Sequence, residues 1–163
     1  MPTVLITYEG INLSRRYIIR EMSVYIFELA ATRHYFFHAP TDLHLLQRDR
    51  QTERYHRQIL GGIPLTEYLP GALSYDNIET LLTLLADHRI LVVGNLAMRF
   101  TADFIPDTDI QDIQEMTFFT YPPQIPAAIC GHNHANNRHC SLGKLLYAKT
   151  HVLSNKRYST IIV

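Results

Sequence analysis

A chain of 163 residues with 47% hydrophobic residues has room for one domain with a sizeable core, so we predict a single domain over residues 1–163. Its 15 basic residues balance its 15 acidic ones, which excludes a global positive charge and leaves nucleic-acid binding to a local patch. The N-terminal residues lack a signal pattern, and no stretch approaches ~18 consecutive apolar residues. We therefore expect a cytoplasmic or nuclear protein that is not secreted and has no membrane partner.

The first part of the chain has the pattern of three β-strands. The stretches Thr3–Tyr8 and Tyr17–Phe27 have strand composition, and a third run from His34 ends at Pro40 because proline cannot donate to a strand ladder. The short links between them predict an antiparallel meander. Alternation divides the second strand into two faces, with Met22, Val24 and Ile26 on one and Glu21, Ser23 and Tyr25 on the other.

The polar stretch from Thr41 to Arg57 is predicted to be helical in part. Three arginines at helical spacing and a neighbouring histidine are the candidate nucleic-acid contacts: Arg50, Arg54, Arg57 and His56. The alternative is a solvated helix face whose positive charges are balanced by Asp49 and Glu53, and the charge pattern favours this alternative.

The rest of the chain alternates between helix and strand patterns. Ser74 is a good N-cap for a helix that runs to His88, and four apolar residues of this helix share one stripe: Ile78, Leu81, Leu82 and Leu85. After it we predict a buried strand in Arg89–Gly94, a helix in Asn95–Ile105, a short strand within Asp109–Met116, and a C-terminal helix capped by Ser141 with Leu142, Leu145, Leu146 and Lys149 in register. This order predicts an α/β fold with a mixed sheet and helices packed on it.

The segment "CGHNHANNRHCSL", from Cys130 to Leu142, contains both cysteines and three histidines of the chain. Thiolate and imidazole are the usual ligands of a structural zinc ion, and the spacing from Cys130 to His134 is common among such ligands. His132 competes with His134 as the imidazole ligand, and the spacing favours His134. Cys140 then completes a set of three ligands with Cys130 and His134. The alternative is that the cysteines are small core residues and the histidines are exposed polar groups.

Four motifs, "TYEG", "REMSVYIFE", "LVVGNLAMRF" and "HCSLGK", resemble in order and spacing those of the DEDDh 3′–5′ exonucleases. The resemblance extends from Thr3 to Tyr147 and implies a ribonuclease H-like fold, with a five-stranded sheet of three antiparallel strands followed by parallel ones.

The chain is most similar to two zinc-containing groups, the exonuclease domain of arenavirus nucleoproteins and the Maelstrom domain. Both hold a structural zinc through Glu, Cys, His and Cys. The resemblance implies that Glu21 supplies the fourth ligand beside Cys130, His134 and Cys140. The family's Cys-x2-His spacing is absent here, which leaves His132 open as the alternative to His134.

The acids of the exonuclease family are largely absent. The first motif has Thr7 in place of Asp and keeps Glu9, and His139 is followed five positions later by Lys144 instead of Asp. The nearest acid to the middle motif is Asp103, a few residues late. Because two-metal hydrolysis needs clustered carboxylates and an ammonium repels divalent ions, we interpret Glu9 and His139 as vestigial and assign no catalytic residue.

We therefore expect a catalytically degenerate exonuclease-like domain with one structural zinc, which binds nucleic acid or protein. The Maelstrom resemblance implies single-stranded RNA as a partner and a role in RNA silencing. The alternative is an active nuclease on single-stranded RNA or DNA, either dependent on Mg²⁺ or Mn²⁺ or using a Maelstrom-like mechanism. Whether the chain is an enzyme stays open at this point.

Overall fold

The computed structural model describes residues 1–58, 63–65, 68–123, 125 and 140–162. Within these ranges the strands are β1 (Thr3–Asn12), β2 (Tyr17–Ile26), β3 (Ala31–Phe36), β4 (Arg89–Val92) and β5 (Ile110–Asp112). The α-helices are α1 (Gln47–Gln58), α2 (Asn77–Leu84), α3 (Asn95–Phe104), α4 (Ile113–Thr117) and α5 (Ser141–Ser154), and a short 3-10 helix follows at Lys156–Tyr158.

The strands form one mixed sheet in the order β3-β2-β1-β4-β5. The β1–β2 and β2–β3 pairs are antiparallel, whereas β1–β4 and β4–β5 are parallel. The prediction of an α/β fold with three antiparallel strands followed by parallel ones is confirmed at this level.

Side chains alternate along each strand, so both faces of the sheet carry apolar residues. Each face is covered by a core cluster. Met22 and Val24 of β2 lie in a cluster with Ile78 and Leu82 of α2. On the opposite face, Tyr25 belongs to a cluster with residues of α5. The predicted division of β2 into two faces is therefore confirmed, and it determines that Glu21 points toward α5.

A β-bulge interrupts the β1–β2 ladder between Glu9 and Gly10. Glycine is required here by close approach, since a Cβ on Gly10 would lie 2.1 Å from the carbonyl oxygen of Ile18. Bulges bend a strand and redirect its side chains. Glu9 therefore stands at the point where the first strand changes direction.

The predicted start of the third strand and the predicted cap of the second helix are wrong. The third strand is Ala31–Phe36 and not His34–Pro40, because the chain turns at Ala30 (φ 48°) and Phe37 forms an isolated bridge with Leu73. The second helix has Asp76 and not Ser74 at its N-cap.

No helix in the described ranges combines the length and apolar composition that crossing a bilayer requires.

Candidate functional site

The side chain of Glu21 is fully buried where β2 meets the N-terminus of α5. Its Oε1 accepts a hydrogen bond from the Ser141 backbone N–H at 3.0 Å and lies 2.7 Å from His34 Nε2. Cys140 Sγ lies 3.6 Å from the same oxygen, and both Glu21 and Cys140 are 0% exposed. Two predicted zinc ligands that are 119 positions apart in sequence are thus in contact.

The separation of these two atoms fits a shared zinc ion. Bonds of about 2.0 Å to a carboxylate oxygen and ~2.3 Å to sulfur place the two atoms about 3.5 Å apart around a tetrahedral zinc. His34, whose Nε2 lies 2.7 Å from the same oxygen, would orient the carboxylate toward such an ion. The other predicted ligands, Cys130 and His134 with its alternative His132, lie outside the described residues.

Two further side chains hold the same end of α5 to the sheet. Thr7 Oγ1 donates to the Ser141 carbonyl at 2.6 Å, and the hydroxyls of Ser23 and Ser141 are 2.7 Å apart. Together with the Glu21 bond, these contacts form what we call the α5 anchor.

The prediction of Ser141 as the N-cap is wrong, because α5 begins at Ser141 with Cys140 at the N-cap position. The Glu21 carboxylate accepts the Ser141 N–H instead. Its charge is also favourable at the positive end of the helix dipole. The buried carboxylate therefore has a structural role that does not depend on metal.

Lys144, at the position where the resemblance implies an acid, contacts Glu9 directly. Lys144 Nζ lies 2.6 Å from Glu9 Oε2 and donates to the Tyr8 carbonyl at 2.5 Å. The side chains are 16% and 9% exposed, so water screens this ion pair only weakly. The ammonium group thus lies beside the one acid that the first motif retains.

A cavity of about 190 Å³ lies beside this ion pair, lined in part by Tyr17, Tyr121 and Lys144. Burial, and then the negative charge of Glu9, raise the pKa of Tyr17 and of Tyr121 above the usual value. Both phenols therefore stay protonated at neutral pH. The cavity is lined by neutral hydroxyls and one paired ammonium.

Asp103, the acid nearest to the middle motif, does not complete a metal site with the described residues. It is exposed on α3 and lines a groove between that helix and the β1–β2 turn. Within the described ranges, no group of three or more His, Cys, Asp and Glu side chains is arranged to hold a metal ion. His139 lies outside these ranges.

The three arginines predicted to contact nucleic acid, Arg50, Arg54 and Arg57, are exposed on α1. Glu53 lies 3.6 Å from Arg57, as expected for a solvated helix face. Asp49 does not balance them, because it is buried and accepts two bonds of 2.9 Å from Ser14. His56 is also buried, so its assignment to the exposed face is wrong.

A second basic surface was not predicted from the sequence. A groove of about 680 Å³ lies between the β1–β2 turn and α3, and three exposed arginines line it: Arg15, Arg16 and Arg99. The adjacent arginines of "SRRY" in a strand-connecting turn were the available signal. Their distant partner on α3 could only be assigned from the fold.

No model of a protein family matches the chain, and no curated protein matches its sequence significantly.

Proposed function

We propose that this chain is a catalytically degenerate exonuclease-like domain with a ribonuclease H-like fold, which keeps one structural zinc and functions as a nucleic-acid-binding or protein-binding module. The sheet supports the fold part of the proposal. Its three antiparallel strands followed by two parallel ones are what the resemblance to DEDDh exonucleases implies.

The observation that carries the proposal is the ion pair between Lys144 and Glu9. Two-metal hydrolysis needs carboxylates that hold two divalent ions about 4 Å apart. Here the retained acid is neutralised by an ammonium group at 2.6 Å, which would repel a divalent ion. Because Lys144 supplies the positive charge that metal ions would otherwise provide, the site favours a stable surface over metal-dependent hydrolysis.

The contact between Glu21 and Cys140 supports the zinc part of the proposal. A zinc ion that bridges these residues would fix the start of α5 to β2, and such structural sites contribute directly to folding. When bound, the ion would be held by Glu21, Cys140, Cys130 and His134 and would supply cross-linking without catalysis. His132 remains the alternative to His134.

Metal analysis of protein purified without added zinc tests this site. We expect one equivalent of zinc, lost in Cys140→Ser and reduced in Glu21→Gln. Ser23→Ala is the matched control, because it removes a contact to the same helix end without removing a predicted ligand. Zinc that is absent from the wild-type protein, or that is retained fully in Cys140→Ser, would contradict the proposed site.

A degradation assay on labelled single-stranded RNA and DNA tests the loss of catalysis. With Mg²⁺ or Mn²⁺ we expect no trimming of either substrate. Metal-dependent trimming that disappears in Glu9→Ala would establish the alternative, an active exonuclease. Trimming without divalent ions that withstands Glu9→Ala would favour a Maelstrom-like mechanism instead.

A further inference from the structure

The groove between the β1–β2 turn and α3 concentrates positive charge in a chain whose net charge is zero. Three arginines and one aspartate, Asp103, line the groove, and Asp42 outside it pairs with Arg16. Arg15 and Arg99 are exposed, and neither forms an ion pair or side-chain hydrogen bond with the part of the chain that is described. Exposed guanidinium groups of this kind are available for phosphate.

The turn that carries two of these arginines is fixed in place. Asp49 accepts bonds from both the backbone N–H and the hydroxyl of Ser14, each at 2.9 Å. These bonds lower the pKa of Asp49, so the carboxylate stays ionised and keeps holding the turn. Arg16 is oriented further by the ring of Tyr75, 5.7 Å from its guanidinium, and by Asp42 at 3.5 Å.

Aromatic side chains line the same groove as the arginines. Tyr17, Tyr75 and Phe100 are partly exposed there. Tyr17 and Phe100 hold each other edge to face, with ring centroids 5.5 Å apart. A groove that carries both cationic and aromatic side chains suits a single strand, because phosphates contact the former and unstacked bases the latter.

The groove and the smaller cavity beside the ion pair between Lys144 and Glu9 have two lining residues in common. Tyr17 and Leu96 line both the groove and the smaller cavity that contains Lys144. A cluster of unpaired carboxylates would repel phosphate unless divalent ions neutralised it, whereas this ion pair is already neutral. A strand in the groove therefore does not need divalent ions to neutralise Glu9.

We infer that the groove lined by Arg15, Arg16 and Arg99 is the binding surface for single-stranded nucleic acid, in place of the arginine face of α1. This inference rests on the nucleic-acid-binding branch of the proposed function. It adds the location of the surface, the strandedness of the ligand and independence from divalent cations.

Fluorescence anisotropy with labelled oligo(U) and oligo(dT) of about 12 nucleotides tests the inference. In the Arg15→Ala/Arg99→Ala variant we expect binding to weaken at least about tenfold, since two phosphate contacts are lost. The slope of log K against log salt should fall in magnitude by about 1.4, at ~0.7 per phosphate on a single strand. Binding by the wild-type protein should not require Mg²⁺.

The matched control is Arg50→Ala/Arg54→Ala, which removes the same charge from α1, and we expect its affinity to stay within about twofold of wild type. An abasic strand of equal length should bind at least about tenfold more weakly than oligo(dT), because it cannot stack on the aromatic side chains. Thermal unfolding of each variant checks that the fold is retained.

The outcomes separate this inference from the proposed function. Loss of binding in the α1 variant with normal binding in the groove variant would overturn the groove and leave a nucleic-acid-binding function in place. Equal binding of the abasic strand would overturn the stacking surface. No salt-dependent binding by the wild-type protein would overturn both the groove and the nucleic-acid branch, and the zinc analysis would be unaffected.

Discussion

The ion pair between Lys144 and Glu9 can be measured by replacing Lys144 with Met, which keeps most of the aliphatic length and removes the charge. The variant loses bonds of 2.6 Å to Glu9 and 2.5 Å to the Tyr8 carbonyl. Glu9 is only 7% exposed, so its carboxylate remains in a site with little water. Breaking a buried pair costs about 3–5 kcal/mol, and the 16% exposure of Lys144 favours the lower value, near 3 kcal/mol.

Urea unfolding of the wild type, Lys144→Met, Glu9→Gln and the double variant completes a double-mutant cycle. We expect a coupling free energy of about 2 kcal/mol between the two side chains. In thermal unfolding, Lys144→Met alone should lower Tm by roughly 6–12 °C. Arg57 and Glu53 provide the control cycle, since their exposed pair on α1 should couple by only about 0.3–0.5 kcal/mol. Equal coupling in both cycles would refute the view that the Lys144–Glu9 pair neutralises a buried charge.

Three further predictions concern the sheet and α5. Gly10→Ala should lower the free energy of unfolding by at least about 3 kcal/mol in urea, because its Cβ would lie 2.1 Å from the Ile18 carbonyl oxygen. Thr7→Val keeps the shape but removes the 2.6 Å bond to Ser141, and should cost about 1–3 kcal/mol in the same assay. Burial lowers the pKa of His151 below 6.5, so the unfolded chain takes up a proton there first as the pH falls. This proton uptake destabilises the folded protein little above about pH 6.5 and increasingly as the pH falls toward the lowered pKa. His151→Gln should therefore lose less stability than wild type between about pH 7 and 5. An unchanged pH dependence of the free energy of unfolding would contradict this.

The strands and their faces could be predicted because they depend on local alternation. Met22 and Glu21 are neighbours, and the two-residue period alone places them on opposite sides of the sheet. Helix starts were harder, because several polar residues compete for each cap. At α2 the cap position went to Asp76 instead of Ser74, and at α5 it is a distant Glu21 that accepts the first N–H bond.

The resemblance placed Glu21 and Cys140 in one site, and these residues are in contact. Other contacts between distant residues had no signal in the sequence. Lys144 was predicted to obstruct metal binding, but its partner Glu9 is 135 positions away and was identified only by the fold. The charge pattern also gave a wrong prediction for Asp49 as part of a solvated helix face, since an acid next to arginines on a helix is usually solvated. Its burial against Ser14 depends on the position of the β1–β2 turn.

The α5 anchor has a consequence for the order in which the chain folds. Its hydrogen bonds join Ser141 to strand residues that are 118 to 134 positions earlier. Closing such a long loop costs entropy before any of these bonds can form, so we expect the meander to assemble first and the C-terminal helix to dock in a late step. Substitutions in the anchor should then accelerate unfolding more than they slow refolding, and the lifetime of the native state should depend on this one helix end.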